Sequence, residues 1–213
     1  PVDRYILSRL PGTARVVCLP TAAGTEGKER VDYWMKLGEQ HFPRLGVQVE
    51  SLPIIDYESA NQPEYVEGIR QANFIYLSGG QPSYLLRTLR GSLAAQAIES
   101  VLESGGVLAG CSAGAMVMGA RIPSLPRWQK AFNFLPNSVI IPHYDEIPLR
   151  YQNLSSLLIG RKTHIIGVEG NTALVVDHGK NHVVGLGGVT YWNQTSRQRF
   201  TDGESIPVQF GIA

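Results

Sequence analysis

Apolar positions along this chain follow two different periods. Short β-rich runs occur at residues 14–19 (ARVVCL), 47–52 (VQVESL), 73–77 (NFIYL) and 107–109. Each reads as a strand, and Val107 and Leu108 carry a short buried-strand signal. Between these runs the apolar positions recur at helical spacing. Within residues 27–42, Val31, Trp34, Met35, Gly38 and Phe42 fall at i, i+3, i+4, i+7 and i+11, one face of a helix. Residues 63–72 predict a second helix, and residues 92–104 another. Pro82 suits the first position of a helix carrying Leu85, Leu86 and Leu89.

Alternation of this kind implies right-handed crossovers and a three-layer α/β fold, a mostly parallel sheet with helices on both faces. Ligand-handling loops in such sheets lie at the carboxyl ends of the strands. Past residue 135 the pattern changes. Residues 138–142 predict a strand and 149–160 a helix, and short strands follow at 165–168, 173–177, 182–186 and 188–192, broken by Gly, Asn and Asp. That predicts a small mixed or antiparallel extension near the C-terminus. With no long linker, repeat or low-complexity tract, residues 1–213 read as a single domain.

The composition is that of an ordinary globular chain, 43% hydrophobic and 17% charged. A net charge of +1 without blocks of like charge argues against a nucleic-acid partner or an anionic membrane surface. Cys18 and Cys111, the two cysteines, lie in or beside apolar runs, so a disulfide framework is not expected and a reducing, cytoplasmic setting fits. The opening PVDRYILSRL resembles neither a signal peptide nor a transit peptide, and no apolar stretch is long enough to span a bilayer. No zinc-type spacing occurs. The oligomeric state is not legible, and a homodimer stays open.

Candidate chemistry begins at residues 107–120, VLAGCSAGAMVMGA. Here a predicted strand runs into Gly110-Cys111-Ser112-Ala113-Gly114, a Gly-x-Ser-x-Gly pattern at a strand-to-helix turn. Flanking glycines let such a turn be sharp enough to push the serine outward, and nearby amides at the helix start favour negative charge. Ala113, Ala115, Met116, Val117 and Met118 suit a helix packed closely on the sheet. The plainer alternative is a tight turn with Ser112 as an N-cap.

A nucleophile needs a base. His41 ends a charged helix and His178 and His182 flank a turn, so these three are expected to face solvent. His164 opens a strand and could serve either role. His143 follows Ile140-Ile141-Pro142 at a predicted strand end, as Ser112 does, and is the best base. Asp145, Glu146 and Glu169 are the candidate orienters. Asp145 and Glu146 are too near in sequence to reach easily behind the ring. Glu169 stands at another strand end, with capping of its turn or pairing with a lysine as the alternative. Ser78-Gly79-Gly80-Gln81 also follows a strand, and its amides could approach a ligand closely.

Together these segments resemble peptidase family S51, the α-aspartyl dipeptidases and cyanophycinases, with a class I glutamine-amidotransferase-like fold. The matching pieces are VVCLPTAAG (16–24), FIYLSGGQPSYLLRTL (74–89), GGVLAGCSAGAMVMG (105–119), IIPHYDE (140–146) and IGVEGNTALVV (166–176), in family order. The resemblance implies Ser112 as nucleophile, His143 as general base and Glu169 as triad acid. It implies an oxyanion hole from Gly80 and Ala113, with Gly79 and Gln81 as substrate-binding positions. The order Ser, His, Glu differs from the α/β-hydrolases, where the acid precedes the histidine.

Two departures stand out. Family members usually carry an extra strand and Gly-rich loop before the VDRYIL-like helix, and this sequence starts after that point, so the sheet is expected to hold one strand fewer. The cyanophycinase-like arginine-rich run after the histidine is replaced by YDEIPLRYQNL, with Arg150 alone, which argues against cyanophycin. The expected activity is therefore hydrolysis of a peptide or isopeptide bond in a small peptide through an acyl-enzyme, with neither metal nor organic cofactor. Alternatives are a cyanophycinase-like exopeptidase, a Cys111 nucleophile as in the amidotransferases, and a non-catalytic binding protein.

Overall fold

Four of the predicted strands form one parallel sheet. In the computed structural model, which describes residues 1–124, 127–148, 163–177, 179–193 and 196–207, the strands are β1 (Arg15–Leu19), β2 (Gln48–Ser51), β3 (Phe74–Leu77) and β4 (Val107–Gly110). Their order is β2-β1-β3-β4, every pair parallel. The chain divides into two compact units, Ile6–Ala115, and Pro1–Tyr5 with Met116–Ala213.

The Ile6–Ala115 unit is this sheet flanked by helices α2 (Lys28–His41), α3 (Pro63–Gln71), α4 (Pro82–Leu89) and α5 (Leu93–Glu103). Each begins or packs for a readable reason. Pro63 and Pro82 occupy first helical positions, where the missing N–H costs nothing. Ser92 caps α5 by accepting from the Ala95 amide at 3.1 Å. α2 lies on β1 and β2, with Gly38 against the Cys18 side chain, while α3 packs on α5 and β1. Leu19, Ile69, Phe74, Ile75, Leu77, Leu85, Leu86 and Leu89 are essentially inaccessible to solvent. At about 1.5–3 kcal/mol for each large apolar side chain, this core dominates what holds the unit together.

The second unit is built differently. Strands β7 (Ser138–Ile141) and β8 (His164–Val168) pair in parallel, whereas β11 (Gly188–Trp192) runs antiparallel to β8 and to β12 (Arg197–Thr201), giving the mixed sheet β12-β11-β8-β7. Two hairpins join it, β5 (Arg121–Ser124) with β6 (Arg127–Lys130), and β9 (Thr172–Asp177) with β10 (Lys180–Gly185). β5, β6 and β12 carry no clear apolar pattern and escaped the sequence reading. The predicted helix at 149–160, and Arg150 with it, lies outside the described residues.

Two helices differ from expectation or extend it. α1 (Val2–Leu7) is the VDRYIL helix that the family resemblance implied. α6 covers only Ala113–Met116, shorter than the helical run the apolar residues through Met118 suggested. Long-range backbone bonds capture the rest: the carbonyls of Val117, Met118, Gly119 and Ala120 accept from Phe132, Leu135, Asn133 and Ala131 at 2.9–3.0 Å. A helical continuation would have to give up all four bonds.

Candidate active site

Three strand ends of the Ile6–Ala115 unit converge on one rim. After β1 comes a short 3-10 turn, Thr21–Ala23; after β3 comes Gly79-Gly80; after β4 comes Cys111-Ser112. Backbone bonds tie them together. Ser78 donates to Leu19 O at 3.1 Å, Gln81 to Ala22 O at 2.7 Å, Cys111 to Leu77 O at 3.1 Å, and Gly114 to Ser78 O at 3.2 Å.

Ser112 has φ 49°, in the left-handed region that a residue bearing a Cβ enters at a cost of about 1–2 kcal/mol. This is the strained strand-to-helix elbow anticipated from Gly-x-Ser-x-Gly, and Cys111, one residue earlier, lacks the positive φ. Gly80 has φ 140°, and a Cβ there would collide with the carbonyl of Ala22. Only glycine can keep that loop so close to the β1 turn. Among the described residues, the N–H groups of Gly80 and Ala113 donate to no protein acceptor. A serine held at a left-handed turn, with nearby amides that donate to no protein acceptor among the described residues, is the equipment acyl transfer uses. Gln81 is exposed, and its carbonyl accepts from Tyr84 and Leu85 at the start of α4.

Around the same rim, Thr21 Oγ1 and Trp34 Nε1 are buried without a hydrogen-bond partner among the described residues. Trp34 borders Gly79 closely. The sequence reading had placed Trp34 on the apolar face of its helix. That face pattern carries no signal that the ring reaches the strand ends.

The second unit holds His143 and Glu169. His143 follows β7, is exposed, and also sits in the left-handed region at φ 53°, ψ 38°. Its Nδ1 lies 3.7 Å from Glu146 Oε1, a neighbour the sequence reading had judged hard to reach. The left-handed backbone at 143 followed by a 3-10 turn over Tyr144–Glu146 brings position i+3 back to the ring. The ring of Tyr144 packs onto Gly167, and Asp145 Oδ1 accepts from the Gly170 amide at 3.0 Å, so the histidine turn lies beside the end of β8. Burial pushes the Tyr144 phenol up, with Arg197 opposing.

Glu169 is held firmly. Arg199 Nε donates to Oε1 and Nη2 to Oε2, both at 2.6 Å, and the Gly188 amide donates to Oε2 at 2.8 Å. The Arg199 hydrogen bonds keep this carboxyl below the usual glutamate range, against an opposing push from burial and from Asp145. Such bidentate pairs are strong and directional. Sequence reading weighed a lysine partner here; the partner is an arginine 30 positions away on a strand without an apolar signature.

The remaining histidines divide. His41 is exposed, as expected. His182, expected at the surface, is half-buried and bonded to the Tyr5 hydroxyl at 2.7 Å, because the N-terminal helix lies against β10. His164 Nδ1 meets the Tyr191 hydroxyl at 2.7 Å, and burial lowers its pKa. His178 lies outside the described residues. Among the described residues no three His, Cys, Asp or Glu side chains gather as a metal-ligand set, and no helix is long and apolar enough to cross a membrane.

A left-handed serine at the end of a strand in a parallel α/β sheet is consistent with a serine hydrolase. Comparison with known proteins narrows it. The pattern of Peptidase family S51 matches residues 1–184. The crystal structure of a peptidase from an acI-B1 Actinobacterium is 34% identical, with a TM-score of 0.86 over 96% of this chain and 89% of that one. A candidate peptidase E from Listeria monocytogenes EGD-e is 21% identical with a TM-score of 0.61, over 94% of this chain and 92% of that one, and shares the fold. An uncharacterized peptidase of Listeria monocytogenes is 28% identical over 160 residues, 70% of this chain and 75% of the relative. The chain belongs to peptidase family S51, and it is a peptidase.

Proposed function

We propose that this peptidase cleaves a peptide or isopeptide bond in small peptides, in the manner of the α-aspartyl dipeptidases, with Ser112 as nucleophile, His143 as general base and Glu169 as triad acid. The observation carrying this reading is the left-handed backbone of Ser112 at the end of β4. Strain is retained at a turn when the fold around it over-determines the geometry, and reactive positions concentrate there. In this mechanism the Ser112 oxygen attacks the scissile carbonyl as its proton passes to His143. The amides of Gly80 and Ala113 stabilise the oxyanion, the amine leaves with the proton, and water releases the acyl group. Gly79 and Gln81 border the bound peptide.

Cys111 is the less favoured nucleophile, because the elbow conformation belongs to its neighbour. Mass spectrometry after fluorophosphonate treatment tests this directly. The expected adduct is on Ser112, and an adduct elsewhere with none at Ser112 would overturn the assignment. Profiling a dipeptide library with aspartyl and non-aspartyl N-termini then defines the substrate class.

A second reading concerns only the acid. Glu146, 3.7 Å from His143 Nδ1, supplies a carboxylate to the ring, whereas both Glu169 oxygens are engaged by Arg199. Glu146→Gln and Glu169→Gln separate the two. The true orienter's variant loses about 10³–10⁴ in kcat, as triads do when the acid is neutralised; the other retains most of its turnover.

A further inference from the structure

We propose that Ser78 is a positioning residue of the oxyanion hole: its hydroxyl holds the Gly79–Gly80 peptide in the orientation that leaves the Gly80 amide free for the developing oxyanion. The proposal rests on the reading of Ser112 as nucleophile and Gly80 as oxyanion donor, and adds the group that sets the direction of that donor.

Ser78 follows β3 and is only 6% exposed. Its backbone is fastened on both sides. The amide donates to Leu19 O at 3.1 Å, at the end of β1, and the carbonyl accepts from the Gly114 amide at 3.2 Å, in the turn that carries Ser112. From this fixed backbone the Ser78 Oγ donates to the carbonyl of Gly79 at 3.2 Å.

That carbonyl belongs to the same planar group as the Gly80 N–H. In a trans peptide the C=O and N–H bonds are antiparallel, so holding one sets the other. The Gly80 amide therefore faces away from the Ser78 hydroxyl, and among the described residues it donates to no protein acceptor. Without the hydroxyl the plane has a ready alternative. Neither flanking residue carries a Cβ, and Gly80 at φ 140° already occupies backbone that glycine alone adopts readily, so rotation of the plane meets little resistance from its own residues. The rotated peptide would present the Gly79 carbonyl, a negative dipole, where the oxyanion needs a donor.

The neighbours restrain where this segment sits rather than which way its peptide faces. A Cβ built on buried Gly79 would lie 2.8 Å from Trp34 Cζ2 and 3.2 Å from Ser112 Cβ, so the loop is packed from two sides. Gln81 N donates to Ala22 O at 2.7 Å, one peptide further on. Among the described residues, the bond from Ser78 is the one made to the Gly79–Gly80 peptide itself.

The test compares an alkyl fluorophosphonate with its thiono analogue, P=O against P=S. With either probe Ser112 Oγ bonds phosphorus, fluoride leaves and the serine proton passes to the general base. Only the oxo probe offers an oxygen to the hole, so the ratio of the two second-order rates reports its donors. A merely structural defect slows both reactions alike and leaves that ratio unchanged. Adduct formation at Ser112 is followed by intact mass for wild type, Ser78→Ala, Ser78→Cys and Ser78→Thr. The oxo-to-thiono ratio should fall about tenfold in Ser78→Ala, which lacks the donor, and nearly as far in Ser78→Cys, whose thiol donates weakly. Ser78→Thr keeps the hydroxyl and should restore a ratio within about threefold of wild type. A fall of less than about threefold in Ser78→Ala overturns the proposal, as does a fall in Ser78→Thr as large as that in Ser78→Ala. Should Ser78→Ala fail to fold, the same threshold applies to Ser78→Cys. Absence of any adduct at Ser112 in wild type instead sinks the nucleophile assignment.

Discussion

The two units place chemistry in different ways. In the Ile6–Ala115 unit the candidate features are backbone features: a left-handed serine, a glycine at φ 140° and two amides that, among the described residues, donate to no protein acceptor, all set by three strand ends tied together. In the unit completed by Met116–Ala213 they are side-chain features, in which His143 approaches Glu146, Glu169 grips Arg199 and His182 meets Tyr5. Backbone geometry follows from local composition, because only certain residues tolerate a given φ. Side-chain partnerships depend on which distant strands end up adjacent. The first kind of site tolerates little substitution at its glycines, while the second offers alternative carboxylates within one small region.

The sharpest way to probe this contrast is at the serine. Ser112→Ala should lower turnover by about 10⁴-fold or more while leaving the circular dichroism spectrum unchanged. Ser112→Gly should abolish activity equally but raise stability by about 1 kcal/mol, because glycine occupies positive φ without strain. A thermal melt showing no stabilisation would mean that the elbow stores none.

Gly80→Ala should cost both fold and function. Its Cβ meets the Ala22 carbonyl, so about 2–4 kcal/mol of stability and at least a hundredfold in kcat should be lost, read by urea unfolding and by assay.

In the second unit the expected effects are smaller and depend on pH. Arg199→Gln removes two charge-assisted bonds from Glu169 and should destabilise by about 1–2 kcal/mol near neutrality, a figure held down by the exposure of Arg199. Because Arg199 depresses the folded-state pKa of Glu169, this stabilisation is complete above the ordinary glutamate value of 4.5 and disappears as pH falls through the depressed folded value. Melts of wild type and variant should therefore converge on acidification; curves that stay parallel would show that the pair contributes no ionic stabilisation. Smallest of all, Ser92→Ala should cost about 1 kcal/mol by uncapping α5, with no change in kcat.

The sequence by itself determined the parallel half of the molecule almost to the residue. Apolar runs such as RVVCL and FIYL mark strands, Pro63 and Pro82 mark helix starts, and Gly-x-Ser-x-Gly announces its own turn. Tertiary structure alone decided the rest. It ended α6 at Met116 by recruiting four carbonyls into long-range bonds, raised β12 from the polar segment RQRFT by pairing it to β11, and chose Arg199 as the partner of Glu169. It also carried Trp34 from an ordinary apolar helix position to the side of Gly79, at the end of β3. The physical reason is range. Backbone preference and apolar period act over a few neighbouring residues and are written locally, whereas an ion pair or a ring contact between segments thirty or more positions apart exists only once the chain has brought them together.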